Sequence, residues 1–168
     1  MNQNNGVILV GMPGAGKSTL GVMLAKELGL DFLDTDVSIQ VHESRTLQDI
    51  MDSEGYMKLR EIEEIVLLKT EANGKVISTG GSAVYSDAGM LHLKKQGTVI
   101  FLDVTLDELR RRIHNFDTRG IARRPDQSFE ELFEERCALY NKYSDIRFDC
   151  NGKTPAEILE ALQEKLSA

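Results

Sequence analysis

The sequence predicts an α/β fold in which helices cover both faces of a five-stranded parallel sheet, and three observations predict it. Short, wholly apolar runs alternate with longer stretches of helical periodicity, the order that builds β-α-β units. The runs do not alternate apolar with polar residues, so each strand must be covered on both sides, as in a parallel sheet. The length of 168 residues, with 41% hydrophobic, suits one domain built on one core. Residues 1–168 are therefore read as a single domain without linker, repeat or low-complexity segment.

The elements run in order along the chain. Residues 7–10 (VILV) form the first strand, and residues 11–16 form a glycine-rich turn. A helix then runs through Leu20, Leu24 and Leu28 and stops at Gly29, a residue suited to the left-handed cap. Residues 32–33 form a second strand ending at Asp34, and residues 37–53 read as short helices. The helix over 57–70 shows Leu59, Ile62, Ile65, Val66 and Leu68 on one side. Asn73 and Gly74 turn the chain into a strand at 75–78, and Asp87 starts a helix through Leu91. After the strand at 98–102, Thr105 caps a helix with Glu108 at the capping-box position. Residues 114–126 are polar and rich in arginine, carry Gly120 and Pro125, and have no periodicity; they read as a mobile lid. Ser128, with Glu131 three residues on, caps a helix whose apolar face is Phe129, Leu132, Phe133, Leu139, Tyr140 and Tyr143. Residues 146–148 are the last strand, and Thr154-Pro155 opens the final helix.

Charge narrows the partners. The net charge is −7, from 20 basic and 27 acidic residues, which argues against nucleic acid. Six of the ten arginines lie between Arg110 and Arg124, a local cluster suited to a small anion. Arg110 and Arg111 themselves read as a solvated helix face. No apolar run spans a bilayer, and the MNQNN start lacks a basic signal region, so the expected setting is the cytoplasm without a membrane partner. Cys137 and Cys150 form no CxxC and His42, His92 and His114 show no ligand spacing, so no zinc site is expected. No apolar stripe enforces a dimer, and a monomer is expected.

The chemistry sits in motifs just after the predicted strands. Residues 11–18, GMPGAGKS, match GxxxxGK[ST], the P-loop, between an apolar strand and a helix. Its glycines let backbone N–H groups turn toward an anion, which the helix N-terminus also favours. Lys17 is placed to reach the outer phosphates and the Ser18 hydroxyl to bind Mg2+. Asp34-Thr35-Asp36 ends the second strand, where ligands of open α/β sheets bind. One carboxylate there can hold Mg2+ through water and the other can take a proton from an attacking hydroxyl. Thr79-Gly80-Gly81-Ser82 comes after the third strand and lets a ligand approach the backbone and its N–H donors. Arg60, Arg119 and Arg136 have the fork geometry that binds carboxylate and phosphate, but spacing alone assigns none of them.

Taken in order, GMPGAGKST, LDTD, LREIEE, the glycine turn, the arginine-bearing lid, ERCALY and TPAEI resemble shikimate kinases over nearly the whole chain. The resemblance implies a P-loop three-layer α/β/α fold with strand order 2-3-1-4-5, and phosphoryl transfer from ATP to a hydroxyl of a small carboxylated polyol, shikimate first. It implies that Gly14, Ala15, Gly16, Lys17, Ser18 and Thr19 hold ATP, with Arg112, Lys153 and Pro155 around the adenine. Ser18 and Asp34 would hold Mg2+. Asp36 would contact the acceptor hydroxyl as its base or orienter, with Lys17 and Arg119 as its catalytic partners at the phosphoryl group. Arg60 and Arg136 would clamp the acceptor carboxylate, and Gly80, Gly81 and Ser82 would line the acceptor ring. Two positions depart from the family pattern: Ser82 stands in place of a third glycine, and Arg119 precedes Gly120 in place of proline. Both lie on the acceptor and lid side, and they motivate an alternative, a kinase of the same build for another small hydroxy acid. A second alternative, a nucleotide-binding regulator without turnover, has no use for Asp36, Arg60, Arg119 and Arg136 together.

Overall fold

The computed structural model describes residues 5–114 and 121–168. Five strands, β1 Gly6–Val10, β2 Asp31–Asp34, β3 Lys75–Ser78, β4 Gly97–Asp103 and β5 Ile146–Asp149, form one sheet in the order β2-β3-β1-β4-β5. Every pairing is parallel. Strand order and direction are those expected. Every residue of β1 is buried, which requires cover on both faces of the sheet. Helix α1 (Lys17–Leu28) packs with α8 (Pro155–Ser167), while α4 (Tyr56–Lys69), α5 (Asp87–Lys94) and α7 (Phe129–Tyr143) form a second contacting group. Helices α2 (Thr35–Glu43) and α3 (Leu47–Glu54) lean on α4, and α6 (Leu106–Arg112) comes after β4.

The parallel register brings the strand ends together. Leu9 of β1 pairs with Ser78 of β3, and Asp34 of β2 pairs with the same Ser78. Three strands therefore end at one level, and the segments after them emerge along one edge.

Local chemistry explains where the helices start. Asp34 caps α2 by accepting from the Asp36 N–H at 2.9 Å. Thr46 with Asp49, Ser128 with Glu131, and Thr154 with Glu157 form reciprocal capping boxes. Thr105 accepts from the Glu108 N–H, yet the expected box is not closed. The Glu108 carboxylate is engaged by Arg111 and Arg112 instead.

Helix α4 departs from the expected apolar stripe. Ile65 and Leu68 are 45% and 44% exposed. The inward face is Leu59, Ile62, Glu63, Val66 and Leu67, spaced at i, i+3, i+4, i+7 and i+8. Helical phase, set by burying Leu59 and Ile62, carries the carboxyl group of Glu63 inside and leaves two apolar residues out.

The segment read as a lid is described only at its two ends. Residues 115–120, with Arg119 and Gly120, lie outside the described residues. At its C-terminal end, Ile121 is buried in the main core. Ala122 is buried in a smaller one with Ile39, Ile50, Leu59, Ile62 and Val66. Apolar contact therefore pins this end of the segment.

Candidate active site

A cleft of ≈ 380 Å³ opens along the edge where β1, β2 and β3 end. The P-loop supplies Pro13, Gly14, Gly16, Lys17, Ser18 and Thr19 to its wall. Gly14 and Gly16 take φ values of 85° and 94°, the left-handed region that favours glycine, so this turn needs those residues. Gly16 precedes α1, and no side chain caps that helix start, unlike α2, α3, α5, α6, α7 and α8. A helix end left without a side-chain acceptor, beside a lysine in a cleft, has the chemistry of an anion site. Ala15 is buried, and its N–H closes the turn onto the Met12 carbonyl at 3.1 Å, so it supports the loop from behind. Lys17 Nζ donates to the carbonyls of Gly11 and Met12 at 2.7 and 2.9 Å.

The Ser18 hydroxyl donates to Asp34 Oδ2 at 2.6 Å. These hard oxygens, joined between the start of α1 and the end of β2, fit an Mg2+ held directly and through water. Asp36 lines the cleft one helical step further on.

In the turn after β3, Gly81 and Ser82 line the cleft and Gly80 does not. The Gly80 N–H donates to Thr35 Oγ1 at 3.0 Å, so it is not offered to a ligand. Neither Gly80 nor Gly81 has a left-handed φ. Both are needed because side chains press on them. A Cβ on Gly80 would lie 2.4 Å from Asp36 Oδ1 and 2.7 Å from Glu63 Oε2. A Cβ on Gly81 would lie 2.7 Å from Arg136 Nη1. Tyr140 fixes the turn from beneath by donating to the Gly81 carbonyl at 2.6 Å.

Arg136 is 1% exposed but still reaches the cleft wall. Its Nη2 donates to the Ala122 carbonyl at 2.6 Å, and its Nε has no partner among the described residues. Arg60 does not line the cleft itself; Leu59 and Glu63, its neighbours on α4, do. Its guanidinium stacks on Tyr85, with Cζ 3.6 Å from the ring centroid.

Glu63 is the residue that sequence reasoning missed. It is 2% exposed, lines the cleft, accepts from the Ser82 hydroxyl through Oε1, and leaves Oε2 without a partner among the described residues. Burial, reinforced by the negative charge of Asp36, pushes its pKa up to about 7; Ser82, Arg136 and Arg60 oppose the shift. It can therefore donate or accept near neutral pH. The signal was available: the i+4 position of a helix whose i and i+3 residues are buried. Ser82 acts through this carboxyl group while also lining the cleft.

On the other side, Arg112 lines the cleft and donates to the Gly14 carbonyl at 3.2 Å. Lys153 and Pro155 are exposed and lie off the cleft wall. Lys153 shares the neighbourhood of Arg112, since both charges act on the Cys150 thiol. Burial pushes the pKa of that thiol and of Cys137 up to about 12, so neither is a nucleophile at neutral pH.

The order of motifs, the sheet and this cleft agree with a match of the shikimate kinase family model to residues 13–167. The chain belongs to the shikimate kinase family. It is 35% identical over 161 residues to the shikimate kinase of Sulfurihydrogenibium sp., covering 95% of this chain and 96% of that one. It is 36% identical to the shikimate kinase of Mycobacterium avium, with 96% and 93% covered. In three dimensions it resembles the shikimate kinase from Acinetobacter baumannii in complex with shikimate, with a TM-score of 0.87 at 28% identity over 98% and 94% of the two chains. No helix among the described residues is long and apolar enough to cross a membrane.

Proposed function

We propose that this protein transfers the terminal phosphoryl group of ATP to a hydroxyl of shikimate, giving shikimate 3-phosphate, ADP and a proton. The observation that carries this reading is the convergence at one sheet edge of a phosphate-binding turn, the Ser18–Asp34 pair, Asp36 and Arg136. The α1 N–H groups and Lys17 bind the phosphates, and Lys17 exchanges its two carbonyl partners for phosphate oxygens. Bound Mg2+, held by Ser18 and Asp34, would neutralise phosphate charge. Asp36 takes the proton of the attacking hydroxyl, and Arg60 and Arg136 hold the acceptor carboxylate at the opposite end. Arg119, on the lid read over 114–126, completes the charge neutralisation. Catalysis on this plan is positioning and electrostatics, with closure of the lid keeping water from the phosphoryl group. The molecule works as a single-domain monomer in the cytoplasm.

The test is ADP release from the purified protein with Mg·ATP, with and without shikimate. Turnover that requires shikimate, and is absent from Lys17→Ala, supports the reading. ADP release indifferent to shikimate and stimulated by another hydroxy acid overturns the choice of acceptor.

A further inference from the structure

Arg60 is an unusual cation for a half-buried place. Among the described residues no carboxylate pairs with it. Its Nε and Nη2 are buried and have no hydrogen-bond partner. Those two N–H groups lie on the same edge of the guanidinium and form the fork that takes both oxygens of a carboxylate. Leaving such a pair unsatisfied is costly unless something else holds the group and a ligand completes it.

What holds it is aromatic. Tyr85 lies face-on at 3.6 Å from Cζ to the ring centroid, and Tyr56 flanks it at 5.0 Å. The same Tyr85 ring has Arg136 Cζ at 5.6 Å. One ring thus serves two guanidinium groups that repel each other. A π-face attracts a cation without using any of its N–H groups, so the Arg60 fork is left without a hydrogen-bond partner among the described residues. A carboxylate in place of the ring would neutralise Arg60 and compete with the acceptor. Two acids feel the Arg60 charge, and both are bonded elsewhere, Glu63 to Ser82 and Glu135 to Gln127. Ser82 precedes the short 3-10 turn Ala83–Tyr85 and Tyr85 ends it, so the turn after β3 places both.

We propose that Tyr85 is a positioning residue of the acceptor site, an aromatic platform that holds the Arg60 guanidinium beside Arg136 with its fork unpaired, ready for the acceptor carboxylate. The proposal rests on the shikimate reading only for the identity of that carboxylate. It gives Tyr85 no contact with the reacting atoms.

The test uses Tyr85→Phe, which keeps the ring, and Tyr85→Leu, which removes it. Steady-state kinetics are read with shikimate and ATP varied separately. The Arg60 Nε–H resonance is recorded in protein labelled with ¹⁵N-arginine and assigned by its loss in Arg60→Lys. The expected result for the leucine variant is a shikimate KM raised about tenfold, with the ATP KM unchanged and kcat largely kept. The phenylalanine variant restores the shikimate KM. The Arg60 resonance should be shifted upfield by the ring current in the parent and the phenylalanine variant, and not in the leucine variant. A leucine variant with parental shikimate KM overturns the proposal, as does an equal rise in both KM values. If the leucine variant does not fold, the parent resonance decides, and an unshifted Arg60 signal overturns it. A parent that neither binds nor phosphorylates shikimate, yet shows the shifted resonance, sinks the choice of acceptor and leaves the platform standing.

Discussion

Arg60 and Arg136 carry the same side chain toward the same proposed task and sit in different surroundings. Arg136 is fully buried and bonded to the Ala122 carbonyl, while Arg60 rests between tyrosine rings. Replacing either by alanine should weaken shikimate binding about tenfold or more, from the loss of a charge-assisted pair worth roughly 1.5–3 kcal/mol. ATP affinity should hold in both, as titration calorimetry can check. Arg136→Ala should also lower the melting temperature, because it strips the buried Ala122 carbonyl of its donor; Arg60→Ala should not. Asp36 is the other residue with a single decisive property. Asp36→Asn should bind ATP normally and lose about 10²–10⁴-fold in kcat, since an amide cannot accept the hydroxyl proton. A variant with unchanged kcat would assign the base elsewhere, with Asp34 the next carboxylate along the strand end. Both residues were legible from sequence as candidates. What set the arginines apart was not, because burial and ring contacts join residues distant in sequence.

At the scale of elements, α4 and α7 decide which side chains face the cleft. Helix α4 shows how phase outranks composition. Burying Leu59 and Ile62 brings Glu63 inward, at a cost in desolvation, and turns Ile65 and Leu68 toward solvent. Helix α7 carries Arg136, and its start is fixed by the Ser128–Glu131 box. Ser128→Ala should cost about 1 kcal/mol. For a domain of this size that is a fall of roughly 2–4 °C in melting temperature. The shikimate KM should stay near the parental value, since Tyr140 and the Ala122 carbonyl still hold the middle of the helix. A thermal melt and one set of kinetics check both halves. The helix starts were readable because a cap is a local pattern of a few residues. The unclosed box at Thr105 was not, because Glu108 had a choice between its own backbone and two arginines one turn away.

For the whole molecule, pH and the join between the two cores give the sharpest tests. Glu63 has a folded pKa of about 7 against an unfolded value of 4.5. With the pKa raised in the folded state, its contribution is fully favourable below pH 4.5 and is lost as pH rises through 7. The displacement corresponds to roughly 3 kcal/mol. Denaturant titrations of the parent should show stability falling across that window, and Glu63→Gln, which cannot ionise, should flatten the fall. An unaltered slope in the variant would show that the proton is held elsewhere. Ala122 joins the segment before α7 to the small core formed by α2, α3 and α4, and its carbonyl holds Arg136. Ala122→Asp places a charge in that apolar cluster. It should lower the melting temperature and raise the shikimate KM, with the ATP KM near the parental value, because the P-loop stands on the main core. Equal losses on both substrates would mean that the two cores yield together.

The sequence by itself determined the class of fold, the five strands, the phosphate-binding turn and the acidic and arginine candidates. Each of these is written in contiguous residues: apolar runs, glycines at fixed spacing, a carboxylate at a strand end. Tertiary structure decided what depends on contact between distant segments. It paired Asp34 and Leu9 with the same Ser78, so that three strand ends share one edge. It showed that Gly80 and Gly81 make room for Asp36, Glu63 and Arg136 and not for a ligand alone. It brought Glu63 against Ser82 and Tyr85 against Arg60, partners that lie 19 residues or more apart in the chain. A carboxyl group's proton and a guanidinium's free edge are set by the dielectric and the neighbours around them, and only the folded chain supplies those.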